Sequence, residues 1–384
     1  MGFVLQNPDE VSSRLLVLEI NMNTNNKKIC DLVAEKADAL ILLSPVNRRY
    51  VTSFQSSAGT VIVKNGKITF FTDFRYYESA CIKKQQGIMD EDIEIRLQDG
   101  NYMNNLKELL SDCKTILFED GFISYGTYNW YKNSFDFAEL VPGGSGIMVG
   151  VRAVKTEEEL SNIIKAQEIT DKTFDFAVKY ISDNIHRADF TERELQLEMD
   201  YFMLRNGADG LAFDTIAISG KKSALPHGAP ESIPVSKGFL TMDFGAKFGG
   251  YCSDMTRTIC IGKPDDEMLK VYNTVLAAQN AAFEVIKADC IGKEPDLAAR
   301  AVIDGAGYAG TFGHSLGHSL GLEIHESPNF ASGVESATPE NVVISVEPGI
   351  YLEGKYGVRI EDIVCLKKDG FVNLTHSPKE LIII

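Results

Sequence analysis

Hydrophobic positions in the first third of the chain alternate between strand-like and helix-like spacing. A hairpin is the clearest element, because Asn65 and Gly66 tolerate the positive φ angles of a type I′ turn and are flanked by two apolar runs. The pattern predicts hairpin strands over 60–63 and 67–71, further strands over 39–43, 93–97 and 115–119, and a helix over 103–113. A small α/β domain over 22–146 is therefore expected, with the glycine-rich stretch 142–146 as a linker.

Helical spacing opens the second part of the chain, which we place at 147–384. Thr156 with Glu159, and Thr191 with Glu194, have capping-box spacing, so each pair predicts a helix start. Two helix pairs are each followed by a strand-rich segment: helices after 156 and 191 precede strands over 239–261, and helices over 265–286 and 295–304 precede strands over 342–366. This order predicts a duplicated α/β unit.

Composition narrows the class of protein. The net charge of −16 disfavours binding to nucleic acid or to an anionic membrane, and no apolar run is long enough to span a bilayer. Seven scattered cysteines fit reduced thiols, which indicates a cytoplasmic protein. Residues 1–21 precede a second methionine, Met22, and are expected to be an extension.

Two pairs of carboxylates lie on the strand-rich segments. Asp243 and Asp254 are equidistant from a turn near Phe248 and Gly249, so an antiparallel hairpin would place them opposite each other, about 5 Å apart. Such close like charges require a proton, basic neighbours or a cation between them. Either pair alone could instead be a pair of solvent-facing acids on edge strands.

The second pair, Glu347 and Glu361, is equidistant from Gly354 and repeats the arrangement. Four ionised carboxylates carry a charge of −4, which two divalent cations would balance. An oxygen-rich site with one imidazole and no thiolate suits Mn²⁺, Co²⁺, Fe²⁺ or Zn²⁺, and the donor types do not select among them. Two such metals can activate water and polarise a carbonyl, which indicates hydrolytic chemistry.

Three of the six histidines, His314, His318 and His325, fall within twelve residues of one another in a glycine-containing run. They would be either metal or substrate ligands, or capping and core residues of a glycine-rich loop. His227 follows a proline in a turn-rich stretch ahead of the first acidic hairpin, so it is a candidate substrate contact or a loop residue.

These residues occur in the order Asp243, Asp254, His318, Glu347, Glu361, within the motifs DFG, YCSDMTRT, GHSLGLEIHESP, VEPGIY and GVRIED. The set resembles the pita-bread metallopeptidases of the aminopeptidase P and prolidase group. Residues 155–384 are similar to their catalytic domain, and DALILLSPVNRRYVTSF with TFFTDFRY is similar to the creatinase-type N-terminal domain. The resemblance implies an α/β (α+β) fold with a pita-bread domain of two related halves.

The resemblance also implies a dinuclear metal site, with Mn²⁺ expected ahead of Co²⁺, Zn²⁺ and Fe²⁺. By position in the motifs, Asp243 would chelate one metal, while Asp254 and Glu361 would bridge both. His318 and Glu347 would complete the second, because His318 precedes His325 by the seven residues that the family motif requires.

Residues outside this ligand set would contact the substrate. His227, His314 and His325 match histidines that bind substrate or stabilise the tetrahedral intermediate. Arg359, expected among the substrate-binding residues as well, matches an arginine near the metal site that supports the carboxylates. We hypothesise that a metal-activated hydroxide attacks the first carbonyl of an Xaa-Pro peptide, and that Glu347 passes a proton to the leaving proline nitrogen.

Several functions remain open at this level. An Xaa-Pro aminopeptidase is preferred, with an Xaa-Pro dipeptidase (prolidase) as the alternative and a non-catalytic peptide-binding protein as a further one. Creatinase is metal-free and lacks the ligands found here, and the smaller methionine aminopeptidases lack the preceding α/β domain. Proline-containing peptides are the expected partners, and a homodimer is expected by resemblance alone.

Overall fold

The computed structural model describes residues 23–384 and contains two compact units that divide between Val151 and Arg152. The expected extension 1–21 lies outside the described residues. No helix in this described part of the chain is both long and apolar enough to cross a membrane. All seven cysteines are free thiols, and six of them are buried.

The elements of the first unit are α1 (Thr24–Ala34), β1 (Ala39–Leu42), α2 (Pro45–Thr52), β2 (Thr60–Lys64), β3 (Lys67–Thr72), α3 (Phe74–Gln85), β4 (Glu94–Leu97), α4 (Tyr102–Leu110), β5 (Thr115–Phe118), α5 (Tyr125–Ser134), β6 (Glu139–Pro142) and α6 (Gly144–Ala153). The strands form a six-stranded mixed sheet in the order β4-β3-β2-β1-β5-β6. Neighbouring strands β1, β2 and β3 are antiparallel, whereas the β3–β4, β1–β5 and β5–β6 pairs are parallel.

Strand β1 is buried on both faces because helices cover both sides of this sheet. Leu40 and Leu42 pack into one hydrophobic cluster, whereas Ala39 and Ile41 pack into another on the opposite face. The β2–β3 hairpin has the predicted turn, with φ of 49° at Asn65 and 71° at Gly66. The α/β prediction for this part of the chain is therefore confirmed.

The prediction that 142–146 forms a linker is wrong, because helix α6 begins at Gly144. A Cβ atom at Gly144 would lie 2.5 Å from the carbonyl oxygen of Phe118, so glycine permits the helix start to pack against β5. Gly144 reflects close backbone approach, a cause that composition alone does not distinguish from a flexible connection.

The second unit has two halves, each with two helices followed by antiparallel strands. Its first half consists of α7 (Glu157–Asn184), α8 (Glu192–Arg205), β7 (Gly210–Leu211), β8 (Ile216–Ser219), a 3₁₀ helix (Gly220–Ala224), β9 (Gly238–Phe244), β10 (Ala246–Phe248), β11 (Tyr251–Cys252) and β12 (Met255–Ile261). Its second half consists of α9 (Asp266–Phe283), α10 (Lys293–Gly305), β13 (Gly317–Ser319), β14 (Glu326–Phe330), β15 (Val343–Val346), β16 (Gly349–Leu352), β17 (Tyr356–Arg359), β18 (Asp362–Lys367) and β19 (Gly370–Asn373).

Each helix pair packs against the strands of its own half. The core of the first half joins α7 and α8 to the sheet β12-β9-β8, and the core of the second joins α9 and α10 to β15 and β18 of the sheet β14-β13-β15-β18-β19. Thr156 and Glu159 form the predicted capping box at the start of α7. The predicted duplication is confirmed, and it places two acidic hairpins in equivalent positions.

Candidate metal centre

The four predicted acids lie at or next to the ends of paired strands, two in each half of the second unit. Asp243 is on β9 and Asp254 directly precedes β12, whereas Glu347 directly follows β15 and Glu361 directly precedes β18. Asp254 and Glu361 are almost fully buried, with 4% and 1% of their surface exposed. The side chains of Asp243 and Glu347 are partly exposed, at 14% and 16%, so the strands hold two carboxylates in the interior and two at its edge.

The prediction that Asp243 directly faces Asp254 is wrong. Asp243 pairs with Thr256, and in the same register Asp254 lies opposite Gly245. The reason is that the turn is centred between Gly249 and the next residue, one position beyond the predicted centre. Moving the centre of the turn by one position changes each pairing partner by two residues, which keeps every side chain on the same face of the sheet. Both carboxylates therefore still lie on one side, as diagonal neighbours.

The prediction for the second pair is confirmed. Val346 pairs with Asp362 before this point and Gly349 pairs with Arg359 after it. In this register Glu347 lies directly opposite Glu361. The two halves thus present their carboxylates with different registers, one diagonal and one direct.

His318 joins the acids. Ligand atoms of Asp254, His318 and Glu361 all lie within 4.8 Å of one another. The Nε2 atom of His318 is 3.6 Å from Oδ2 of Asp254 and 3.6 Å from Oε1 of Glu347. The structure therefore brings the predicted imidazole together with acids from both hairpins.

The orientation of the His318 ring suits a metal ligand. Its Nδ1 atom is 3.2 Å from the carbonyl oxygen of Ser319 and must donate there, since a carbonyl only accepts. Burial, and then the neighbouring His325, lower the pKa of His318 to about 4, so the ring is neutral at pH 7. The lone pair of Nε2 consequently faces the acids, the arrangement by which a backbone carbonyl orients metal-binding histidines.

The carboxylates destabilise one another in their charged forms. Burial, followed by the negative charge of neighbouring acids, raises the pKa of Asp254 and of Glu361 well above the usual range. Burial also raises the pKa of Glu347 to about 8, against the opposing effect of Arg359. Positive charge at this point would reverse these shifts.

Two carboxylate oxygens test whether the site fits metal ions. Oδ1 of Asp243 and Oε1 of Glu361 are buried and have no hydrogen-bond partner, whereas Oε2 of Glu361 accepts a bond from Thr256 at 2.7 Å. Buried polar atoms are rarely left without partners. These free oxygens, the mutual repulsion of the acids and the lone pair of His318 together fit divalent cations.

Arg359 links the acids to the surrounding residues. Its guanidinium donates to Oδ2 of Asp243 at 2.6 Å, to the hydroxyl of Tyr351 at 2.8 Å and to Oγ1 of Thr256 at 2.9 Å. It also donates to the carbonyl oxygen of Pro226 at 3.2 Å. The predicted supporting role of Arg359 thus has a geometric basis.

Replacing Arg359 with methionine should destabilise the metal-free protein by about 3–5 kcal/mol, because a buried ion pair would lose one partner. Urea unfolding in the presence of a chelator measures this loss. Lys355→Met in the same hairpin is the matched control, since its exposed pair with Glu267 should contribute less than about 1 kcal/mol. Equal losses in the two variants would contradict the assignment.

Three contributors to the site were missed by the sequence reasoning: Thr256, Ser345 and Tyr351. Ser345 accepts a bond from the backbone N–H of His318 at 3.0 Å and donates to Oε1 of Glu347 at 3.3 Å. Ser345 is the single polar residue of strand β15, and that break in pattern was an available signal, whereas Thr256 lies beside Arg257 and Thr258 in β12 and does not stand out.

His314 is engaged inside the protein. Its Nδ1 atom is 2.8 Å from the carbonyl oxygen of Ser315 and its Nε2 atom is 2.9 Å from the hydroxyl of Tyr351. Burial lowers the pKa of His314 to about 4, so its single ring proton is on Nδ1 and Nε2 accepts from Tyr351. In this arrangement the ring has no free N–H for an oxyanion, and its predicted donor role requires Nε2 both to be released from Tyr351 and to carry a proton.

The loop that carries His314 is held by an ion pair on α10 between the buried Asp296 and the partly exposed Arg300. Asp296 accepts a bond from the backbone N–H of Leu316 at 3.0 Å and pairs with Arg300 at 2.7 Å. Arg300 donates in turn to the carbonyl oxygens of Phe312 and His314. This histidine is therefore fixed from both sides of its own backbone.

His325 is exposed, and its ring centroid lies 4.5 Å from that of His318. The next residue, Glu326, points inward and pairs with Arg152 and with Lys155, the latter at 3.1 Å. The Lys155 side chain is only 1% exposed. The chain thus directs His325 outward above a buried charge cluster.

Comparison with known proteins agrees with this geometry. Residues 161–368 match metallopeptidase family M24, and residues 30–154 match the creatinase/prolidase N-terminal domain. The Xaa-Pro dipeptidase of Pyrococcus furiosus is 35% identical over 90% of this chain and 95% of its own.

Two solved structures extend the agreement to the fold. The Xaa-Pro dipeptidase of Bacillus anthracis is 36% identical with a TM-score of 0.88, covering 95% of this chain and 100% of that one. The X-Pro aminopeptidase of Thermotoga maritima is 36% identical with a TM-score of 0.83, covering 93% and 100%. The chain therefore belongs to metallopeptidase family M24 and carries a creatinase/prolidase N-terminal domain ahead of its catalytic domain.

Proposed function

We propose that the protein is a dinuclear-metal Xaa-Pro dipeptidase. The observation that carries this proposal is the buried cluster of acids around the neutral, inward-facing Nε2 atom of His318. Relatives named as Xaa-Pro dipeptidases align along nearly the whole chain, which favours the dipeptidase over the aminopeptidase that the motifs suggested.

The proposed ligands are Asp243, Asp254, His318, Glu347 and Glu361. Two divalent cations bound there would polarise a scissile carbonyl and lower the pKa of water. Oxygen-rich donors with one imidazole accept Mn²⁺, Co²⁺, Zn²⁺ and Fe²⁺. Mn²⁺ is our first candidate among the four because of the family resemblance.

Glu347 is the proposed proton carrier. Nearby positive charge lowers the pKa of a carboxyl group, so the loaded site would hold Glu347 as a carboxylate able to accept a proton. Its Oε1 atom would then deliver that proton to the nitrogen of the leaving proline. Ser345, which donates to the same oxygen, would fix the side-chain rotamer.

The substrate would lie against the exposed histidines. His227 and His325 are both solvent-exposed, so their imidazoles are available to a peptide. Proline-containing peptides are the proposed partners, because a proline amide lacks an N–H and has a fixed ring that a pocket can select by shape. The homodimer and the cytoplasmic location remain predictions.

Substrate length tests the proposal directly. The purified protein with Mn²⁺ should cleave Xaa-Pro dipeptides at least about 10-fold faster than matched Xaa-Pro-Yaa tripeptides, a difference of about 1.4 kcal/mol in transition-state binding. Mass spectrometry of timed digests measures both rates, with Xaa-Ala dipeptides as controls for proline selectivity. Cleavage of no Xaa-Pro bond in any peptide would overturn the proposal.

An Xaa-Pro aminopeptidase is the second candidate, favoured by the Thermotoga maritima relative. It predicts the opposite preference, with tripeptides and longer peptides cleaved faster than dipeptides. The same digest therefore separates the two functions without a further variant.

A further inference from the structure

The segment that carries His227 is anchored by a carboxylate from outside it. Residues 220–231, the 220–231 loop, begin with the 3₁₀ helix and end ahead of β9. Glu192, the first residue of α8, has a side chain that is 0% exposed and lies at the base of this loop. Its Oε1 atom accepts bonds from the backbone N–H and the hydroxyl of Ser219 at 2.8 and 3.0 Å.

The other oxygen of Glu192 binds both ends of the loop. Oε2 accepts from Nζ of Lys222 at 2.7 Å and from the backbone N–H of Glu231 at 3.3 Å. Lys222 also donates to the carbonyl oxygen of Ala229 at 3.0 Å and to Oε2 of Glu231 at 2.9 Å. One ammonium group thus joins the start of the loop to its end.

The tip of the loop reaches the candidate metal centre. The carbonyl oxygen of Pro226, next to His227, accepts a bond from Nη1 of Arg359, whose Nη2 binds Asp243. Nearer the base, Oγ of Ser223 accepts from the backbone N–H of Gly357 at 3.0 Å. The loop is therefore fixed to β17 as well as to α8.

Because the Glu192 carboxylate is buried, its hydrogen bonds favour a single position of the 220–231 loop. A buried carboxylate is unfavourable unless its oxygens are satisfied, and Glu192 has four hydrogen bonds including one from an ammonium group. Displacement of the loop would break the two bonds that come from Lys222 and Glu231 at once. All four come from the loop or from Ser219, which immediately precedes it.

We propose that Glu192 and Lys222 are positioning residues that hold His227 in place to bind the peptide substrate. The kinetic test of this proposal rests on the proposed function, because it measures cleavage of an Xaa-Pro peptide. The structural test is independent of the proposed function. Neither residue contacts the metal ligands directly, so both act through the loop and its histidine.

The kinetic test uses Glu192→Gln in the metal-loaded protein with an Xaa-Pro dipeptide. The amide has one acceptor oxygen where the carboxylate has two, so either Ser219 or the pair Lys222 and the Glu231 N–H loses its acceptor. It also loses the charge that pairs with Lys222, so the loop is held less firmly. KM should rise about 10-fold with kcat changed less than about 2-fold, because substrate binding is affected more than chemistry. Glu194→Gln on the same helix is the matched control, since Glu194 pairs with Arg187 and should leave KM unchanged.

A second variant pair separates positioning from general stability. In a His227→Ala background, Glu192→Gln should raise KM by less than about 2-fold, because its effect acts through a side chain that is already absent. Effects that multiply fully in the double variant would overturn the proposal. Lys222→Met, at a partly exposed position, gives the same comparison should Glu192→Gln fail to fold.

The structural readout is hydrogen–deuterium exchange of the metal-loaded protein without substrate. Glu192→Gln or Lys222→Met should speed exchange within residues 220–231, whereas Glu194→Gln should not. Unchanged exchange in this loop would overturn the positioning role. If the wild-type protein cleaves no Xaa-Pro peptide, the proposed function fails while this measurement still decides the role of Glu192.

Discussion

Glu347→Gln is expected to lower kcat/KM for an Xaa-Pro substrate by about 10²–10⁴, the range contributed by a positioned proton-transfer group. The amide has nearly the same shape but cannot accept a proton or neutralise a cation. The loss of activity should therefore appear mainly in kcat. Initial rates at saturating Mn²⁺ measure the loss of activity, and elemental analysis measures the metal that the variant still binds.

Glu353→Gln is the matched control for this substitution. Glu353 lies in the exposed turn of the β16–β17 hairpin, two residues after Tyr351, and should leave the rate within about 2-fold of wild type. Near-normal activity of Glu347→Gln with two metals bound would show that the proposed proton transfer is wrong.

Removal of the metal ions should destabilise the protein, and increasingly so at higher pH. Burial and mutual repulsion raise the pKa of Glu347 from 4.5 to about 8 in the folded state. The folded protein then binds protons more tightly than the unfolded chain. Any stability from protonation is fully present below pH 4.5 and is lost as the pH rises through about 8.

Bound cations oppose this loss because they stabilise the ionised carboxylates. At a free metal concentration 100-fold above Kd, binding should add about 2.7 kcal/mol, which corresponds to a Tm increase of roughly 5–11 °C for a unit of this size. Thermal melts at pH 5, 6, 7 and 8, with chelator and with Mn²⁺, measure the difference. The gap between the two curves should widen with pH.

Asp254→Asn distinguishes charge repulsion from a general packing effect. Removing one buried charge should raise the Tm of the metal-free protein at pH 8 and abolish its stabilisation by Mn²⁺. A lower metal-free Tm for this variant at pH 8 would indicate that Asp254 stabilises the fold by other contacts, and that repulsion among the acids is small.

Local signals in the sequence were sufficient for most of the elements. Asn65 with Gly66 specified a hairpin, and Thr156 with Glu159 specified a helix start, because each depends on backbone angles within four residues. The glycine-rich stretch 142–146 misled the same reasoning. Its glycine at 144 serves close packing against β5, a long-range contact that local composition does not reveal.

The candidate site could likewise be predicted only in part from local signals in the sequence. The motifs supplied the donor types and their order along the chain, including the choice of His318 among three clustered histidines. They did not supply the diagonal register of Asp243 and Asp254, which depends on the centre of a turn outside the motif that contains Asp254. The bond of Tyr351 to His314 was equally invisible, since 37 residues separate them.

By itself, then, the sequence determined the helices and strands, the duplicated order and the ligand chemistry, because periodicity, caps and residue types are local properties. Only the tertiary structure decided which oxygens remain unpaired, how His318 is oriented and how Glu192 anchors the loop of His227. Those features depend on packing between segments far apart in the chain, where burial strengthens electrostatic interactions and fixes hydrogen-bond partners.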